Sequence, residues 1–174
     1  NSIIAEAMKE RGINAAFLDA RKIIKTNKDF GAAKVNFTLT DSAVQEYYQG
    51  HGDKIQIVTG FIGSDTGVLT TTLGRGGSDY TAAILAGALS ADVLEIWTDV
   101  DGVLTCDPRK VKQAFTIPQL SYAEAMEMSH FGAKVIYPPT IQPALRKGIP
   151  IYIKNTFNPE FIGTRIHKEH DASF

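Results

Sequence analysis

Apolar residues recur at helical spacing over residues 3–11, a run that Gly12 closes, and again over residues 41–49, where Asp41 or Ser42 can serve as the N-cap. A short apolar run at residues 15–18 reads as a strand between them. A turn at residues 50–53 leads into a strand at 54–59, and residues 61–72 read as a hairpin that turns through Ser64, Asp65, Thr66 and Gly67. The pattern then predicts a helix after Gly74-Arg75-Gly76-Gly77, with Ser78 as its N-cap, and a buried strand built on Val93, Leu94, Ile96 and Trp97. Residues 121–131 are predicted to form a helix and 132–139 a loop; Pro143 is expected only in the first turn of the next helix, which Gly148 closes before a strand at 150–155. Strands alternating with helices predict an α/β fold with a mostly parallel sheet covered on both faces, whose ligands sit at the carboxyl ends of strands.

Composition narrows the class without naming a chemistry. The 174 residues suit one domain, and 44% hydrophobic with 21% charged residues describe an ordinary globular core. A net charge of −1, with lysines spread along the chain, gives no electrostatic footprint for nucleic acid. The longest apolar stretches are interrupted every few residues, so no membrane partner is expected. The single cysteine, Cys106, permits no internal disulfide and fits a reducing cytoplasm. The histidines show no metal-ligand spacing, and Asp99, Asp101 and Asp107 lack the Asp-x-Asp-x-Asp-Gly spacing of a calcium loop.

Candidate chemistry concentrates in two places. In TTTLGRGGSDYTAAILAGAL, residues 70–89, glycines flank Arg75 at the mouth of a helix. They let backbone approach a ligand closely, and the guanidinium supplies a planar fork for a carboxylate or phosphate beside the positive helix end. Asp79 in the first turn complements the helix dipole by itself, but repels a second anion unless a cation bridges them. By pattern alone the glycines could equally form a tight connection with Arg75 solvated. The second place is DVLEIWTDVDGVLTCDPR, residues 92–109, where a strand stops in a loop carrying Asp99, Asp101, Asp107 and Arg109.

Together these segments resemble the aspartate kinases of the amino-acid kinase family. The substrate-binding pattern of that family stands here as Phe61-Ile62-Gly63 and then Thr70 through Asp79, and its nucleotide-binding pattern as Trp97-Thr98-Asp99-Val100-Asp101-Gly102 and then Asp107-Pro108-Arg109. DARKIIKTNKDFG (19–31), FGAKVIYPPTIQPA (131–144) and NTFNPEFIGT (155–164) agree as well, so the resemblance covers nearly the whole chain. It implies the amino-acid kinase fold, an αβα sandwich, here without its N-terminal side. It further implies that Phe61, Arg75, Gly76, Gly77, Ser78 and Asp79 bind the substrate, with Arg75 on a carboxylate and Asp79 on the amino group. Thr98, Asp99, Leu104, Arg109, Lys134 and Val135 are implied at the nucleotide; Leu104 stands where some aspartate kinases present a tyrosine, which leaves only apolar contact.

The implied activity is transfer of the γ-phosphoryl group of ATP, with Mg²⁺ on its phosphates, to the side-chain carboxylate of L-aspartate. This reaction opens the route to lysine, threonine and methionine. A cytoplasmic homo-oligomer is implied for the parent protein. One departure qualifies the resemblance: the family's opening Lys-Phe-Gly-Gly-Thr strand and loop does not occur here, and its amino-group glutamate would lie just upstream of Asn1. The chain therefore reads as the later part of a kinase domain, residues 1–165, with 166–174 as a tail or the start of a linker, and the expectation is that it has no kinase activity alone. Regulatory domains or a fused homoserine dehydrogenase beyond it stay open. So do two other readings: a kinase for glutamate or acetylglutamate, and a non-catalytic nucleotide or amino-acid binding module.

Overall fold

Two sets of elements segregate along the chain, one in Asn1–Leu89 and one in Ser90–Phe174, in a computed structural model that describes residues 1–67, 69–130 and 137–168. In the first unit, helix α1 (Ser2–Glu10) stops at Gly12, whose φ of 76° only glycine adopts without strain, and the chain turns into β1 (Ala15–Leu18). A 3₁₀ turn, Ala20–Lys22, is capped by the Asp19 side chain and leads towards α2 (Phe37–Gln49). This helix begins a turn earlier than Asp41, because Asn36 takes the cap: its Oδ1 accepts from the Leu39 N–H at 3.1 Å. Ser42 lies inside the helix and donates back to the Thr38 carbonyl at 3.0 Å.

Strand β2 (Ile55–Val58) pairs parallel with β1, and β3 (Ile62–Ser64) pairs antiparallel with β4 (Thr70–Thr72), as the hairpin pattern predicts. The hairpin turn is fixed by Asp65, whose Oδ1 accepts from the Leu69 N–H at 2.7 Å. Helix α3 (Gly77–Leu89) follows. Leu18, Ile23, Ile24, Val44 and Ile84 form one buried cluster, which seats the hairpin and α3 on α2 and β1. This burial of apolar area is what holds the glycine-rich loop in place.

In the second unit, β5 (Leu94–Thr98), β7 (Ile151–Asn155), β8 (Thr164–His167) and β6 (Gln119–Ser121) lie side by side in that order. β5 pairs parallel with β7 and β6 parallel with β8, while β7 and β8 run antiparallel. The expectation that Val93 and Trp97 are buried fails: β5 alternates, with Leu94 and Ile96 inward, Trp97 43% exposed on the other face and Val93 before the strand and 42% exposed. The indole is covered in part by the Lys154 ammonium, 4.5 Å from the ring centre.

Helix α4 (Tyr122–His130) carries a capping box, with Ser121 Oγ and N–H both donating to Glu124 Oε2 at 2.8 and 2.7 Å. Helix α5 (Pro138–Arg146) starts at the Pro138-Pro139 pair, so Pro143 falls inside it rather than in its first turn. Two prolines at the start need no N–H partners there, which moves the helix origin ahead of Pro143. Gly148, φ 67°, ends the helix as expected. β8 extends through His167, and Ile166 is fully buried, so the sheet reaches two residues into the segment expected as a tail.

Candidate functional site

The first unit brings Phe61, Arg75, Gly76, Gly77, Ser78 and Asp79 together where β2 and the hairpin meet the start of α3. Gly74 and Gly76 have φ of 77° and 69°, so the chain turns sharply on either side of Arg75, which projects as an exposed residue. Gly76, not Ser78, sits at the helix cap, since its carbonyl accepts the first helical bond from Tyr80 N–H at 2.9 Å. Ser78 is instead inside the first turn and packs on Gly60, where an added Cβ would stand 3.0 Å from Ser78 Oγ. A glycine cap leaves backbone N–H groups approachable, and α3 presents its positive end to this loop. Asp79 is half-buried in the same turn, and that burial pushes its carboxyl above the ordinary 3.8.

Phe61 is held in a conformation that few non-glycine residues adopt, with φ 76°. Such a backbone costs about 1–2 kcal/mol, and two contacts fix it. The Phe61 N–H donates to Thr81 Oγ1 at 3.1 Å, and the Phe61 carbonyl accepts from Leu73 N–H at 2.9 Å. The Thr81 hydroxyl in turn donates to the Gly77 carbonyl at 2.8 Å. The phenyl ring lies over Gly77 so closely that a Cβ there would come within 2.7 Å of Phe61 Cδ2. Only a glycine fits under the ring. The sequence signal for Thr81 is slight: a threonine four residues after the helix start, able to bond back to the i−4 carbonyl.

In the second unit the acidic loop follows β5, at a strand end as expected. Thr98 Oγ1 donates to Asp99 Oδ1 at 3.1 Å, and the Thr98 carbonyl accepts from Thr156 N–H at 2.8 Å. Asp101 does not face outward with its acidic neighbours. Its Oδ1 accepts from Asn155 Nδ2 at 2.9 Å and Asn158 Nδ2 at 3.1 Å, which ties the loop after β7 to the loop after β5. Leu104 is half-buried and bridges to Thr116.

Arg109, with its side chain 85% exposed, forms a bidentate pair with Asp107 through Nε at 3.0 Å and Nη2 at 3.1 Å. The guanidinium beside Asp107 holds its carboxyl below the usual range. Arg109 is thus pre-oriented by a carboxylate, with part of its fork directed away from Asp107. Lys134 and Val135 lie outside the described residues. Among the described residues no group of three or more His, Cys, Asp or Glu could hold a metal ion, and no helix is long and apolar enough to cross a membrane.

Lysine-sensitive aspartokinase 3 of Escherichia coli is 44% identical over 165 residues, which cover 94% of this chain and 37% of that protein. The bifunctional aspartokinase/homoserine dehydrogenase of Haemophilus influenzae is 58% identical over 115 residues, 66% of this chain and 14% of that protein. The crystal structure of E. coli aspartokinase III in complex with aspartate and ADP superimposes with a TM-score of 0.91 at 42% identity, over 98% of this chain and 38% of that one. This chain therefore spans less than two fifths of the length of each. Its fold is the α/β amino-acid kinase fold. A model of the amino acid kinase family matches residues 1–155, most of the chain and both candidate loops up to the end of β7, so the chain belongs to that family.

Proposed function

We propose that this chain supplies aspartate- and ATP-binding segments of an aspartate kinase domain, which transfers the γ-phosphoryl group of ATP to the side-chain carboxylate of L-aspartate to give 4-phospho-L-aspartate. The observation that carries the reading is the first loop. Arg75 is set between two left-handed glycines at a helix start, beside a half-buried Asp79 and a ring clamped over Gly77. Cation, carboxylate and apolar wall are the complement of a small amino acid. Relatives that share this segment bear the name aspartokinase, and one of them was solved with aspartate and ADP.

In this reading Arg75 forks a substrate carboxylate, aided by the Ser78 region of the helix start. Asp79 accepts hydrogen bonds from the substrate ammonium, and its burial strengthens it as an acceptor. Phe61 walls the pocket. Thr98, Asp99 and Leu104 line the nucleotide, and Arg109 neutralises phosphate charge with the edge of its fork that Asp107 leaves exposed. The attacking carboxylate is already ionised near neutral pH, so catalysis consists of alignment and charge neutralisation. Mg²⁺ on the ATP phosphates adds to that neutralisation. Lys134 and Val135 belong to the nucleotide site in the same proposal. So do a cytoplasmic location, supported by the single cysteine, a homo-oligomeric whole protein, and a place at the head of lysine, threonine and methionine synthesis.

Calorimetric titration of the chain with L-aspartate and with Mg-ATP tests the reading, with L-glutamate and N-acetylglutamate as competitors. Aspartate is expected to bind and to resist displacement by either competitor. Preference for glutamate or its acetyl derivative refutes the substrate. Nucleotide uptake without any amino acid refutes the kinase assignment in favour of a binding module.

A further inference from the structure

We infer that Thr81 is the positioning residue for Phe61, and through it for aspartate. The inference rests on the proposed function for its ligand, and on geometry for the rest. Thr81 is only 3% exposed and cannot reach a ligand through solvent, yet its hydroxyl is spent on two backbone groups of the candidate pocket. It accepts from Phe61 N–H and donates to the Gly77 carbonyl. Those two groups belong to residues that press together at the candidate site: Phe61, whose ring lies over the helix start, and Gly77 beneath it. A phenylalanine at φ 76° relaxes towards ordinary backbone unless its N–H and carbonyl are both held. Leu73 N–H holds the carbonyl, as part of the chain leading into the loop. Thr81 holds the N–H from inside α3. The hydroxyl therefore converts the position of α3 into the position of the ring.

Thr81→Val keeps the shape and removes the hydroxyl, while Thr81→Ser keeps the hydroxyl. Amide hydrogen exchange of the full chain, read at Phe61 by NMR, is expected to quicken at least about tenfold in the valine variant and to stay near its original rate in the serine variant. Aspartate affinity by calorimetry is expected to fall about five- to tenfold in the valine variant, with Mg-ATP affinity unchanged and serine restoring most of the loss. Thr81→Ala, a better helix former, serves for both measurements if the valine variant does not fold. Unaltered exchange at Phe61 in a folded variant overturns the inference. So does faster exchange with unaltered aspartate affinity, or an equal loss of both ligands. If the unsubstituted chain takes up no aspartate, the proposed function falls, and the exchange comparison still decides whether Thr81 holds Phe61.

Discussion

Gly102→Ala is expected to cost the second unit considerably more stability than Gly148→Ala, at a similarly left-handed position. Gly102 has φ 101°, and a Cβ there would stand 2.5 Å from Thr164 Oγ1 and 2.8 Å from Thr164 N. Thr164 is fully buried; its hydroxyl accepts from Val103 N–H at 2.8 Å and donates to the Ile117 carbonyl at 2.7 Å. Alanine first incurs the left-handed backbone, about 1–2 kcal/mol. Turning the hydroxyl away then abandons a buried N–H, about 1–3 kcal/mol. The Thr164 backbone nitrogen cannot rotate aside, so the start of β8 must shift, an overpacking of about 1–3 kcal/mol. These terms overlap because they share Thr164, and a net loss of roughly 3–6 kcal/mol stands against a total of about 5–15 for a small domain. Gly148 has φ 67° but nothing within 4 Å of its Cβ position, so only the backbone term applies there, about 1–2 kcal/mol. Urea titration followed by fluorescence of Trp97, the only tryptophan, reports on the second unit directly. A Gly102→Ala variant within about 1 kcal/mol of Gly148→Ala would refute the steric argument.

Arg75→Ala is expected to weaken aspartate binding about a hundredfold with nucleotide affinity intact, and Arg75→Lys to rescue it poorly because an ammonium cannot fork a carboxylate; near-normal calorimetric affinity in either variant contradicts the role. Arg109→Ala is expected to lower Mg-ATP affinity about ten- to a hundredfold and leave aspartate binding alone, measured by the same titrations, with no loss of stability because its partner Asp107 is at the surface. Asp79→Asn is expected to raise the urea midpoint at pH 7 while abolishing aspartate binding. The Asp79 carboxyl titrates above 3.8 when folded, so the native state binds the proton more tightly and stability falls as pH rises from 3.8 through the raised value. The gain from asparagine should therefore vanish in acid, and a gain that persists there counts against burial as the cause.

The features legible in the sequence are those whose apolar period and end signals agree: α1 with Gly12, the hairpin, the presence of α3 after the glycines, and the end of α5 at Gly148. Boundaries differ where two cap candidates compete near a helix start, as Asn36 does with Asp41 and Gly76 with Ser78. Strands β6 and β8 were not foreseen, because short strands are specified by partners far along the chain rather than by local alternation. Within the site, residue types exposed the chemistry of Arg75, Asp79 and Arg109. Asp101 could not be read so: only the fold reveals that this acid of the Thr98–Asp101 cluster clasps Asn155 and Asn158. Likewise nothing local marks Phe61 as left-handed, which is why its dependence on Thr81 stayed hidden.

The strand order of the second unit bears on how the protein is made. A ribosome releases β5, β6 and β7 in that sequence, and β7 can dock on β5 as it emerges, in parallel register. Strand β6 has no such option, since its neighbour in the sheet is β8, whose residues follow those of β7 and lie beyond the family match. At about 5–20 residues per second, some two to ten seconds separate translation of Ser121 from that of His167, and through that interval β6 lacks its strand partner. This is the window in which the unpaired edge of β6 is open to pairing with another chain. Synonymous pauses that lengthen it should increase aggregation, whereas pauses placed after residue 167 should have no such effect.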